Sequence, residues 1–236
     1  MNQSFDVRYG GAARTATVDR RARFIVRTYN HLFGAIVAFA ALEFALFATG
    51  TAEVLARAML STSWLFVLGA FMVVSWIASH FAYSASSRAA QYAGLAGYVV
   101  AQAIIFLPML YMANHFAPGT IQSAGIVTML GFAGLSGVAF YTRKDFSFLR
   151  GVLLYGGIIA LVLIVAGGIF GFHLGTFFSV AMVAFAGAAI LYDTSNVLHH
   201  FPEDRYVAAA LQLFASVALM FWYVLRLFMS LQNRNS

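Results

Sequence analysis

The sequence predicts an all-α protein, a bundle of seven transmembrane helices, and three observations carry that prediction. Of 236 residues, 62% are hydrophobic and only 9% charged, where a soluble domain has about a quarter charged. Seven apolar stretches each reach the ~20 residues that a helix needs to cross a bilayer at about 1.5 Å per residue. The basic residues fall on alternate connections between those stretches. Mean hydropathy, at +0.83, agrees.

Taken in chain order, residues 1–28 form a polar tail carrying Arg8, Arg14, Arg20, Arg21, Arg23 and Arg27. Such a composition predicts disorder. The apolar run that follows is too long for a leader and has no small-residue cleavage site, so it reads as an uncleaved signal anchor. Residues 29–236 form the transmembrane domain, with spans expected at 29–50, 63–83, 92–114, 121–141, 152–172, 176–198 and 206–231. Connections 116–120 and 173–175 barely turn the chain, which makes their helices antiparallel neighbours. Pro108 removes a backbone donor inside the third span and should kink it. Gly131, Gly134 and Gly137 in the fourth span, and Gly156, Gly157, Gly167 and Gly168 in the fifth, permit close helix approach where lipid supplies no hydrophobic drive.

With the tail in the cytoplasm, eleven basic residues face inside: the six tail arginines, Arg88, Arg143, Lys144, Arg150 and Arg205. Only Arg57 and Arg234 then face outside. The positive-inside rule therefore predicts a cytoplasmic N-terminus and an external C-terminus. Topology also accounts for the net charge of +6; no aromatic-interleaved basic groove points to nucleic acid. Membrane lipid is the partner that composition demands. The absence of cysteine removes disulfides, thiolate metal sites and cysteine nucleophiles. There is no HExxH, and the single lysine, Lys144, lies in a connection. That excludes zinc-protease and retinal Schiff-base chemistry. No cofactor, metal site or catalytic residue is expected.

Five residues stand out as candidates. Asp193 lies inside an otherwise uncharged apolar run, where a carboxylate costs roughly 2.5–3.5 kcal/mol to insert. Five residues from Leu198, it sits about 7.5 Å below the span's cytoplasmic end. His80, at similar depth near the end of the second span, could pair with it as imidazolium in a pH-sensitive closed state; it also reads as a neutral histidine at the headgroup level. Glu43 should face the bundle interior towards Arg226, a structural pair of intramembrane charges. His199, His200, Glu203 and Asp204 cluster beyond Asp193, but their spacing matches no zinc pattern. Gly134-Leu135-Ser136-Gly137 resembles the GxSG motif of rhomboid proteases. A serine nucleophile needs a base, and the sixth span carries no histidine before its end, so helix packing accounts for the motif and the chain is not expected to be an enzyme. Ser216 enters only by resemblance.

The seven helices, the tail-in orientation, Tyr192-Asp193-Thr194-Ser195-Asn196 closing the sixth span and Leu225-Arg226 late in the seventh together resemble the Bax inhibitor-1 family. Thr142-Arg143-Lys144-Asp145-Phe146-Ser147-Phe148-Leu149 and the run Thr194 to His199 are similar to its bacterial YccA branch. The resemblance covers residues 29–226 and implies a bundle with the seventh helix at its centre. It also implies a pH-controlled calcium leak through two aspartates, on the sixth and seventh helices. Asp193 matches the first, whereas the second position falls on Ser216. Two carboxylates sharing a proton can titrate near neutrality, and calcium needs several oxygen ligands; one acid and a hydroxyl meet neither need. The YccA branch is similar in lacking the second acid and is associated with the membrane-anchored AAA protease FtsH. The resemblance therefore implies a multi-pass protein of the bacterial inner membrane that binds and modulates FtsH. Its alternative is a pH-sensitive calcium, cation or proton leak sensed at Asp193, His80 and Ser216.

Overall fold

The computed structural model describes residues 3–84 and 87–235, with side chains at 18–83 and 87–232. Those residues form eight helices and no strand: α1 (Gln3–Ala48), α2 (Thr51–Leu60), α3 (Trp64–Ser84), α4 (Arg88–Phe116), α5 (Thr120–Thr142), α6 (Leu149–Phe170), α7 (Thr176–His199) and α8 (Tyr206–Asn235). Seven are long and apolar enough to cross a membrane; α2 is not. The expected spans agree with α3 to α8 within a few residues, because each apolar stretch must close all its backbone hydrogen bonds internally.

Two local differences have physical causes. The tail expected to be disordered is helical from Gln3 onwards, continuous with the first span. Helix nucleation is costly and elongation is not, so the apolar half of α1 supplies the nucleus for the polar half. Tertiary contacts then hold the stretch before Tyr29. Phe24 is buried and stacks on Phe201 at 6.3 Å, while Arg21 donates to the carbonyls of Leu198 (3.1 Å) and Phe201 (2.5 Å). Carbonyls at a helix C-terminus lack intrahelical partners, and a guanidinium satisfies them well. The second difference is α2, in what reads from sequence as a plain outer loop. Gly50, at φ 74°, turns the chain into it. Ala52 and Ala56, one turn apart, bury against Leu107 of α4, and Glu53 and Arg57 pair on the exposed side.

α8, the seventh span, forms the hub. It packs against α1, α3, α4, α5 and α7. Val207, Ala208, Ala209 and Ala210 are completely buried in its first turns, and Leu213 and Leu225 further along. A helix buried over most of its length belongs in the middle of a bundle. α6 is its opposite: among the described residues its helix contacts are with α7 and α3, and Ala160 is its one buried residue.

Small residues set the closest approaches, most of them at the expected glycines, although the tightest is at Gly94, outside those stripes. A Cβ on Gly94 of α4 would lie 2.6 Å from the Ala78 carbonyl and 2.7 Å from the Ala82 nitrogen of α3. Gly168 meets Leu65 at 2.9 Å, Gly156 meets Phe185 at 3.0 Å and Gly131 meets Met220 at 3.2 Å. Gly134 and Gly137 face open space. Pro108 lies buried inside α4, which the backbone carries through unbroken from Arg88 to Phe116.

Candidate functional site

Asp193 sits on the face of α7 turned to the hub. Its carboxylate is buried, and both oxygens are used: Gln212 Nε2 donates to Oδ1 and Ser216 Oγ donates to Oδ2, each at 2.5 Å. Gln212 and Ser216 are four residues apart on α8, so they lie one above the other on one face and reach the same carboxylate. The network extends one step further, to α3, where the Tyr83 hydroxyl donates to Gln212 Oε1 at 3.0 Å. Three helices thus converge on one acid.

A second polar layer adjoins it. Thr194, fully buried next to Asp193, shares a hydrogen bond with Ser136 of α5 at 3.2 Å. The serine of the GxSG sequence is thus paired with a hydroxyl. The buried Tyr29 hydroxyl of α1 lies beside Ser136 and Thr194 without forming a hydrogen bond of ordinary geometry. Ser195, one residue further along α7, accepts from the Phe146 N–H at 2.9 Å and donates to the Lys144 carbonyl at 3.4 Å. Asp145 Oδ1 accepts from the Ser147 N–H, and its Oδ2 lies 2.9 Å from His200 Nε2. The Ser147 N–H, and after it the His200 ring, hold the Asp145 carboxyl below the usual carboxylate range. The two sequence signatures, Thr142 to Leu149 and Tyr192 to Asn196, are therefore parts of one assembly: the connection between α5 and α6 is laced onto the end of α7.

Of the residues singled out from sequence, Ser216 is brought to Asp193. His80 is on the exposed side of α3, where its ring stacks on Trp76 at 5.8 Å. Glu43 faces the interior as expected, but its two carboxylate oxygens find no hydrogen-bond partner among the described residues. Arg226 is not turned to it; its Nη2 donates to the Leu174 carbonyl at 2.7 Å, because the connection before α7 offers a free carbonyl closer to the guanidinium. Glu203 pairs with Arg20 at 3.6 Å, so the loop acids are engaged with the tail and with Arg205. No group of three or more acids and histidines arranged to hold a metal occurs among the described residues. Gln212 and Tyr83 were not visible from sequence. An amide or a phenol inside a span signals little by itself; only the four-residue spacing of Gln212 and Ser216 could have marked that face.

The family model described as Inhibitor of apoptosis-promoting Bax1 matches residues 21–234. The chain belongs to this Bax inhibitor-1 family. Among curated relatives, an uncharacterized protein of Pseudomonas aeruginosa is 34% identical over 122 residues, 50% of this chain and 54% of its own. The Escherichia coli protein named Modulator of FtsH protease YccA is 36% identical over 98 residues, 40% of this chain and 43% of its own. Bax inhibitor 1 of Schizosaccharomyces pombe is 29% identical over 128 residues, 52% of this chain and 47% of its own. The matched stretch spans about half the length of these relatives. This Bax inhibitor-1 family chain is accordingly a multi-pass membrane protein whose Asp193 cluster ties α3, α7 and α8 together.

Proposed function

We propose that the protein is a regulatory partner of a membrane-anchored AAA protease of the FtsH type, acting in a bacterial inner membrane with its Arg-rich end in the cytoplasm. The observation that carries this reading is the satisfied state of Asp193. Its two oxygens are occupied by Gln212 and Ser216, and the position where a second acid would complete an ion-binding pair is the hydroxyl donor itself. A carboxylate so engaged, with a donor on each oxygen, fastens helices together. The partial likeness to a protein named as a modulator of FtsH protease supports the same reading. The basic, helical first turns of α1 form the handle that such a protease would meet, and Arg21 and Phe24 anchor the handle to the end of α7 and the connection after it.

The test is degradation kinetics of an FtsH reporter substrate in membranes with and without this protein. The full chain should alter the rate, and a chain lacking residues 2–17 should not, while both accumulate to the same level. An unchanged rate with the full chain refutes the proposal.

One observation favours a second reading, a pH-responsive cation or proton leak. Glu43 holds a carboxylate inside the bundle with no hydrogen-bond partner, and such a group tends to mark an ion or proton route. Under that reading, calcium or proton flux through the purified protein in liposomes rises or falls across pH 5 to 8. Ser216→Asp, which restores a paired acid beside Asp193, should increase it. Silence of both proteins in that assay removes the leak.

A further inference from the structure

A groove of about 500 Å³ runs between α1 and α4 on the outside of the bundle. Its existence follows from side-chain size. Gly34, Ala35 and Ala38 leave α1 thin along one face, opposite Ala96 on α4, and Leu95 and Val99 form the buried floor. From Asn30 to Leu42 the groove follows α1 for roughly 18 Å of helical rise. That length compares with one leaflet, half of the ~30 Å hydrocarbon core. The lining changes character along its length. The end nearest the middle of the bilayer is aliphatic (Leu42, Val100), and the end nearest the Arg-rich side is polar (Asn30, His31, Tyr92).

The polar end is linked by hydrogen bonds and positively charged. His31 Nδ1 donates to the Arg27 carbonyl at 2.7 Å, and Nε2 lies 2.9 Å from the Tyr92 hydroxyl. Tyr92 in turn lies 3.2 Å from the Tyr206 hydroxyl. The Arg27 guanidinium sits over the Tyr206 ring at 5.7 Å, and Arg27 and Arg88 both act electrostatically on Tyr92. Both arginines are exposed, and neither is in a salt bridge with an acid among the described residues. Two uncompensated cations therefore flank the polar mouth of an apolar channel one leaflet long. In a bilayer, the molecule that complements this arrangement has an anionic head and a hydrocarbon tail.

We propose that the groove between α1 and α4 is a binding site for one anionic glycerophospholipid, with an acyl chain lying along Gly34 and Ala38 and the phosphate held by Arg27 and Arg88. The site is separate from Asp193, and lipid binding to it does not rest on the protease reading; only its consequence for the handle does. Bound lipid would join α1 to α4 by filling the space their small residues leave open, and would couple the handle at the start of α1 to membrane composition.

The full chain, purified in detergent and delipidated, would be titrated with phosphatidylglycerol or phosphatidylethanolamine and the bound lipid read by native mass spectrometry. Wild type should take up one phosphatidylglycerol with roughly tenfold or greater preference, the scale that two arginines near a headgroup supply. Gly34→Leu fills the groove where a Cβ meets open space, and should abolish that uptake with an unchanged unfolding midpoint; Ala38→Phe is the second filling variant should the first unfold early. Arg27→Gln with Arg88→Gln should erase the preference between the two lipids. Ile158→Phe on the exposed face of α6 should change nothing. Equal uptake by wild type and both filling variants overturns the proposal, as does equal loss in Ile158→Phe. Full competition by glycerol phosphate, a headgroup without chains, also overturns it in favour of free phosphate binding.

Discussion

Removing Asp193 strands two donors, the Gln212 amide and the Ser216 hydroxyl, in the interior of the bundle. Leaving a buried polar group unpaired costs about 1–3 kcal/mol, so Asp193→Ala should lower stability by that order in a detergent unfolding titration. Ser216→Ala removes one donor and leaves the carboxylate with the other. Interhelical hydrogen bonds in membranes average about 0.6 kcal/mol, and the smaller loss should appear in the same assay; a larger loss from Ser216→Ala than from Asp193→Ala would contradict the geometry. At the rim, Asp145 has its carboxyl pK held down by the Ser147 N–H and by His200. A lowered folded-state pK contributes stability above the unfolded value of 3.8, and that contribution disappears as pH falls through the lowered value. Protection of the Ser147 amide, its exchange rate relative to the intrinsic rate at the same pH, should thus hold from neutrality to about pH 4 and fall only in stronger acid, whereas Asp145→Asn should lower it throughout. Asp193 was legible in the sequence because a lone acid in an apolar run is conspicuous. Its donors were not, because which face of α8 meets α7 is a tertiary fact.

Helices in this bundle approach most closely where a glycine meets backbone. Gly94→Ala would drive a methyl to 2.6 Å from the Ala78 carbonyl. Backbone cannot rotate away as a side chain can, and overpacking of this kind costs about 1–3 kcal/mol. Gly134→Ala, by contrast, adds a methyl in open space, and alanine favours helix over glycine by up to about 1 kcal/mol. Thermal unfolding in detergent should separate the two variants in opposite directions. Glycine spacing alone pointed to Gly134 and Gly137 as contacts, and the structure places them on the outside of α5. The stripe held at Gly131, which packs against Met220, and failed at the other two because three-residue spacing identifies a face and not what covers it. Six of the seven spans were legible to within about four residues, since hydropathy and length are the properties a bilayer selects; the first was not, because its helix begins in polar sequence. α2 was not. Ten residues, about 15 Å of rise, cannot cross, and its two buried alanines register only once α4 is in place beside them.

Across the molecule, the polar start of α1 is fastened to the far end of α7 through Arg21 and Phe24. Truncation should therefore have two regimes. Deleting residues 2–17 leaves that fastening intact and should preserve the unfolding midpoint, while deleting residues 2–28 removes it together with the buried Thr28 and should lower the midpoint and the yield of folded protein. Equal midpoints for the two truncations would mean the fastening contributes nothing. The sequence suggested a boundary at residue 28 because polarity changes there; the structure carries the helix and its contacts across that point. The position of α8 has a consequence for biosynthesis. The helix around which the others gather follows all of them in chain order, so the earlier segments must wait in the bilayer as a loose ring until the hub emerges from the translocon. A chain stalled before Tyr206 would lack both donors to Asp193 and leave that carboxylate without them inside the membrane.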